Sequence, residues 1–194
     1  KISVFLSFQS GKPFRIENLC IIGYISCYNK FKKSKMALKI GDIAPDFTLK
    51  SKNQTGDIKD FSLGNYKGKN VVLLFYPLSF TGVCTTEMCS ISAGFNEYAN
   101  LNAEVLGISV DSVFTQEAWA KSNGITIPLL SDFNKDVAKS YGCFYEDFIF
   151  MKGVAKRSAF IVDKDGKIAY EEILEDAGQL PNFDKIKEIL NTLK

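Results

Sequence analysis

A thiol placed where an apolar strand gives way to a helix is well sited to act as a nucleophile, and Cys84 is such a thiol. Residues 71–90, VVLLFYPLSFTGVCTTEMCS, open with an unbroken run of strand formers from Val71 to Tyr76, which Pro77 stops. After a short polar turn, Cys84 begins a segment that reads as a helix. The unpaired backbone N–H groups and the positive end of the macrodipole at a helix N-terminus favour an anion, so this thiol is expected to ionise more readily than a free one of pKa about 8.5. The pattern predicts a nucleophilic thiolate at Cys84.

The composition narrows what can activate it. The chain has no histidine, which removes Ser-His-Asp and Cys-His catalysis and His-containing zinc sites together. Helix geometry, hydroxyl donors and a guanidinium remain. Five cysteines, Cys20, Cys27, Cys84, Cys89 and Cys143, are an odd number spread over 194 residues, unlike a secreted disulfide framework, so a reducing compartment is expected. A thioredoxin-type dithiol would need a C-x-x-C, and none is present. Cys84 and Cys89 alone fall short of the four ligands of a zinc module.

The formal charge of +2 hides a split. Residues 1–35 carry seven Lys or Arg against Glu17 alone, leaving 17 basic and 21 acidic residues in 36–194. No basic groove recommends nucleic acid as a partner. Within 1–35 the longest apolar run, Leu19 to Ile25, is interrupted by Gly23 and falls far short of the ~18–20 residues that span a bilayer, so no membrane segment is expected. This basic N-terminal extension reads as a targeting peptide, as sequence read through from upstream of Met36, or as a structural appendage. With 46% hydrophobic residues, the 194-residue chain suffices for one well-cored domain, placed at 36–194. A cytoplasmic location is expected, or an organellar one if 1–35 is an address.

Around Cys84 the chain alternates strands and helices. Asp46–Leu49 and Ile58–Leu63 read as a hairpin about the polar turn SKNQTGD, and Val105–Val110 as a second buried strand ending at a helix cap, Asp111-Ser112. One helix is expected from Cys84 to about Asn100, and another over 112–122, stopped by Asn123-Gly124. Ile127–Leu130 reads as a short strand that Pro128 assigns to an edge, and a helix follows from about Asn134 to Ser140. Residues 143–156 read as an irregular, aromatic-rich covering loop. Two strands, 157–162 and 167–172, flank the hairpin signal DKDG, and a last helix runs from about Phe183 to Leu193. The pattern predicts an α/β protein with a central mixed sheet and helices on both faces.

The segment PLSFTGVC, Pro77 to Cys84, matches the P-x-x-x-T-x-x-C motif of the peroxiredoxins, thiol peroxidases of the AhpC/TSA superfamily. It stands in the strand, loop and helix context that motif requires. IGDIAPDFTL (40–49), IPLLSD (127–132) and Arg157 in KRSAFIVDKDG (156–166) resemble the family in the same order, and the resemblance runs from about Met36 to the C-terminus. It implies a thioredoxin-like fold without metal, haem or flavin. By resemblance, Cys84 is the peroxidatic cysteine, Thr81 holds the peroxide, Pro77 shields the thiolate, and Arg157 activates it. The N–H groups of Val83 and Cys84 complete the pocket. Each role is physically reasonable: a guanidinium keeps its charge and can stabilise both thiolate and departing alkoxide, and a threonine hydroxyl both accepts and donates. Glu87 matches an acidic residue that orients the arginine in the family; otherwise it is a first-turn glutamate favoured by the dipole.

Cys89 follows Cys84 by five positions, the spacing of the bacterioferritin-comigratory or Q-type subgroup, whose second cysteine resolves the sulfenic acid. Five helical residues turn the side chains about 140° apart and place the α-carbons beyond the ~7 Å that a disulfide tolerates, so the helix must unwind before the bridge closes. The stretch EDAGQLPNF (175–183) resembles instead the one-cysteine, AhpE-like branch, in which an external thiol resolves. A C-terminal extension with a resolving cysteine, as in the typical two-cysteine enzymes, is not expected. Cys143 is a weaker candidate for that role, Cys89 is otherwise a buried helix cysteine, and Cys20 and Cys27 have no expected catalytic part. The resemblance implies reduction of hydrogen peroxide or small organic hydroperoxides, thioredoxin or a similar dithiol protein as reductant, and a monomer or homodimer. The rival reading is a noncatalytic redox sensor or chaperone-like protein built on the same cysteine.

Overall fold

The computed structural model describes residues 38–193; the basic stretch 1–35, with Cys20 and Cys27, lies outside the described residues. The elements in chain order are β1 (Thr48–Ser51), β2 (Lys59–Ser62), a 3-10 turn (Leu63–Tyr66), β3 (Asn70–Phe75), α1 (Gly82–Ala93) and α2 (Phe95–Asn100). They continue with β4 (Ala103–Ser109), α3 (Val113–Asn123), β5 (Leu129–Ser131), α4 (Asp136–Ser140), β6 (Phe144–Phe148) and β7 (Met151–Ala155). β8 (Ser158–Val162), β9 (Ile168–Ile173) and α5 (Phe183–Thr192) complete them.

Seven strands form one mixed sheet in the order β2-β1-β5-β4-β3-β8-β9. β3 runs parallel to β4 and antiparallel to β8. Every residue of β3 is buried because both faces of the strand are covered, which explains its unbroken apolar sequence. Side chains alternate across the pleat. Val72, Leu74 and Tyr76 enter one core with Met88 of α1, Trp119 of α3 and Ile186 of α5. Val71, Leu73 and Phe75 enter the other with Tyr141, Phe160 and Ala138 of α4. Each such side chain contributes about 1.5–3 kcal/mol by leaving water. Close approach of α1 to the sheet depends on Gly107 in β4: a Cβ there would lie 2.8 Å from Leu129 Cδ2 and 3.2 Å from Met88 Sδ.

Four expectations need correction. The helix read from Cys84 to Asn100 is two helices, parted at Gly94, and it starts earlier, at Gly82. Glycine, with the most backbone freedom to lose, is a weak point in any helix interior. Residues 143–156 are not irregular: β6 and β7 pair as an antiparallel ribbon. Its turn runs through Ile149 at φ 58°, a left-handed conformation that β-branched residues rarely adopt, so no Gly or Asn announced it. β5 is not an edge strand but lies between β4 and β1. Pro128 precedes it and needs no N–H there, while its carbonyl accepts from Gly107 N–H at 2.9 Å. Cys143 is not in a covering loop; it is fully buried in the second core. Among the described residues no helix is long and apolar enough to cross a membrane.

Candidate active site

The site is assembled where β3 ends. Pro77, buried and without an N–H to extend the ladder, closes the strand. The loop that follows is fastened to the end of β4: Ser79 N–H donates to Asp111 Oδ2 at 2.7 Å, and Ser109 Oγ donates to the same oxygen at 2.8 Å. Phe80 then takes a left-handed φ of 61°, which turns the chain into α1.

Thr81 occupies the N-cap position of α1, yet its side chain caps nothing in the helix. Its hydroxyl donates to Leu78 O at 2.9 Å, so in this arrangement its one proton is directed to the loop and not to the sulfur, leaving only its lone pairs to accept. The first-turn N–H groups of Gly82, Val83 and Cys84 therefore receive no side-chain cap. Cys84 is the third residue of the helix and only 1% exposed.

Arg157, also 1% exposed, directly precedes β8. The β3–β8 register pairs Phe75 with Ser158, which carries Arg157 to the end of β3 and across a separation of 73 residues to Cys84. Its Nη2 lies 3.3 Å from Cys84 Sγ, and its Nη1 donates to Glu87, one helical turn beyond the cysteine. Nε and Nη2 also donate to Ala177 O at 3.1 and 3.0 Å, so the guanidinium is held from three sides. Burial opposes the Arg157 charge, but Glu87 and Cys84 outweigh it and hold the group above its ordinary pKa. Burial likewise pushes the Glu87 carboxyl up to about 7, against the pull of Arg157. The second oxygen of Glu87, Oε1, is buried without a hydrogen-bond partner. A cation and uncapped N–H groups around one sulfur are an arrangement that can hold negative charge there and on an oxygen bound to it.

Cys89 lies on the same helix, half-buried, with its Sγ 3.4 Å from Asn123 O at the end of α3. The intact helix between the two cysteines separates their side chains, as five helical residues require. Cys143 belongs to the opposite face of the sheet and does not reach this site. Two contributors escaped the sequence reading. A backbone carbonyl such as that of Ala177 has no side-chain signature. Asp111 read as part of a helix cap, a role that falls to Ser112, which accepts Thr115 N–H at 3.2 Å. Among the described residues no group of three or more His, Cys, Asp or Glu side chains could hold a metal ion.

Residues 40–171 match the model of the AhpC/TSA family. The chain belongs to the AhpC/TSA family. An AhpC/TSA relative, peroxiredoxin-1 of Gallus gallus, is 43% identical over 66% of this chain and 65% of its own length. The corresponding protein of Gekko japonicus shares 43% identity over 66% of each chain. The chain thus spans just under two thirds of the length of these relatives. A chloroplastic 2-cysteine peroxiredoxin of Chattonella marina var. antiqua is 42% identical over 82% of this chain and 80% of its own. Among solved AhpC/TSA structures, AhpC of Enterococcus faecalis superposes with a TM-score of 0.72 at 30% identity, over 81% of this chain and 92% of that one. The mitochondrial 2-cys peroxiredoxin of Plasmodium falciparum gives 0.71 at 31%, over 79% and 93%. The fold is thioredoxin-like.

Proposed function

We propose that the protein is a thiol peroxidase in which the Cys84 thiolate attacks the terminal oxygen of hydrogen peroxide or a small organic hydroperoxide. The S–O bond forms as the O–O bond breaks. Sulfur loses two electrons and becomes the sulfenic acid, and the departing hydroxide or alkoxide takes up a proton. The observation that carries this reading is the Arg157 guanidinium 3.3 Å from Cys84 Sγ at an uncapped helix N-terminus. The same cation serves the thiolate before the reaction and the leaving oxygen during it. Thr81 accepts a hydrogen bond from the bound peroxide, the N–H groups of Val83 and Cys84 donate to it, buried Pro77 limits water at the sulfur, and Glu87 orients Arg157.

In the next step, Cys89 attacks the sulfenic sulfur, water leaves, and a disulfide forms that thioredoxin or a similar dithiol protein reduces. The first turns of α1 must open for this. Thr85 and Thr86 hydroxyls bond back to the carbonyls of Thr81 and Gly82, at 2.8 and 3.1 Å, a pattern that weakens a helix. The relatives' names, 2-cysteine peroxiredoxin among them, support the peroxide substrate and thiol reductant. We place the protein in the cytoplasm, or in an organelle if residues 1–35 are a targeting peptide, and as a monomer or homodimer. Intact-mass measurement and peptide mapping after one equivalent of hydrogen peroxide, without reductant, test the scheme. A Cys84–Cys89 disulfide is the expected product. A sulfenic acid on Cys84 with Cys89 still free would assign resolution to an external thiol, and an unmodified Cys84 would refute the peroxidase reading.

A further inference from the structure

We infer that Tyr145 is a positioning residue for Arg157, acting through the segment between β9 and α5; this rests on the peroxidase reading above. Two of the guanidinium nitrogens, Nε and Nη2, share one acceptor, the carbonyl of Ala177. Ala177 belongs to no helix or strand, so it orients the guanidinium only as firmly as its own segment is fixed.

The ties on that segment differ in strength. Leu174 N–H donates to Arg157 O at 2.9 Å and merely extends the β8–β9 ladder. Asp176 accepts from Gly178 N–H at 2.8 Å, a bond internal to the turn that anchors it to nothing else. Lys156 reaches the carboxylate of Glu175, but that side chain is 79% exposed, and a solvated pair of this kind holds little. Two ties remain: Asn182 N–H donates to Glu172 Oε2 at 2.8 Å, five residues beyond Ala177, and the Tyr145 hydroxyl donates to Glu175 O at 2.7 Å, two residues before the carbonyl that holds Arg157. The Tyr145 ring is itself fixed, stacked on Phe148 at a centroid distance of 4.9 Å and 26°, with the Lys156 ammonium 5.3 Å from its centroid. The β6–β7 ribbon, which otherwise has no part in the site, thereby braces the activating cation. Removing the hydroxyl loosens the segment just ahead of Ala177, and Arg157 retains Glu87 while its hold on the side facing the sulfur weakens.

Stopped-flow oxidation by hydrogen peroxide, followed by the fluorescence of Trp119, is measured for the full chain, Tyr145→Phe, Arg157→Lys and the double variant. Tyr145→Phe is expected to slow the reaction about fivefold, the share of one hydrogen bond. A lysine cannot repeat the paired donation to Ala177, so the same change in the Arg157→Lys background should have no effect. A Tyr145→Phe protein as fast as the parent, or one slowed equally in both backgrounds, overturns the inference. Alkylation of Cys84 by iodoacetamide across the same four proteins needs no peroxide. If the parent does not react with peroxide, the peroxidase reading fails by itself, while the alkylation cycle still decides whether Tyr145 acts through Arg157.

Discussion

Cys84 and Cys143 are both free and both buried, at 1% and 0% exposure, yet they stand on opposite faces of the sheet in opposite surroundings. At Cys143 burial dominates, opposed only in part by a hydrogen bond with Ser158 and the charge of Lys156. The Cys143 Sγ lies 3.6 Å from Ala138 O, and burial pushes the thiol up to about 12. Cys84 is equally withdrawn from water, but a guanidinium sits 3.3 Å from its sulfur and the uncapped first turn of α1 surrounds it. Burial alone makes a thiol inert; burial beside a fixed charge makes a water-poor place for a thiolate. The difference between the cysteines lies in what the β3–β8 register brings to each.

The largest test of that contrast exchanges each sulfur in turn. Cys84→Ser should abolish peroxide consumption, whereas Cys143→Ala should leave it unchanged, both read as peroxide loss in the presence of a dithiol reductant. Retained turnover in the first variant would move the nucleophile elsewhere. A smaller effect is expected from Arg157→Lys, which keeps the charge but loses the planar fork that serves Cys84, Glu87 and Ala177 together. With a charge-assisted hydrogen bond worth about 1.5–3 kcal/mol, the second-order rate with peroxide should fall about 10- to 100-fold. A lysine variant as fast as the parent would show that charge alone separates Cys84 from Cys143.

Much of this arrangement was legible wherever a local signal and the tertiary context agree. β3 announced itself as an apolar run bounded by Asn70 and Pro77, α3 by Ser112 and by Gly124 at φ 66°, and the β8–β9 hairpin by DKDG. The ribbon β6–β7 was hidden because Ile149 takes a conformation that glycine usually supplies, and β5 because Pro128 lies just outside the strand it seemed to demote. At the site, the helix-terminal thiol could be read from residues 71–90 alone. Arg157 could not, because 73 residues separate it from Cys84 and only strand register closes the gap; family resemblance nominated it. Even resemblance could not supply the Ala177 carbonyl or the turn of the Thr81 hydroxyl toward Leu78, since backbone acceptors and hydroxyl directions leave no mark in residue identity.

Glu87 offers the finest comparison, because desolvation acts on it as on Cys143 while Arg157 pulls the other way. Its carboxyl titrates near 7 in the folded protein against an ordinary 4.5, so between these values the native state binds more protons than the unfolded chain. The stabilisation tied to its proton is full below pH 4.5 and is lost as pH rises through about 7. Glu87→Gln cannot titrate. Other groups, Asp132 among them, also titrate with raised values, so the informative quantity is the difference between the two proteins and not either curve alone. Urea unfolding at stepped pH should show the parent losing stability relative to Glu87→Gln across that window, at no more than about 1.4 kcal/mol per pH unit. Parallel curves would mean that Arg157 cancels the desolvation of Glu87, and that a buried acid in contact with a guanidinium escapes the penalty that Cys143, without one, cannot.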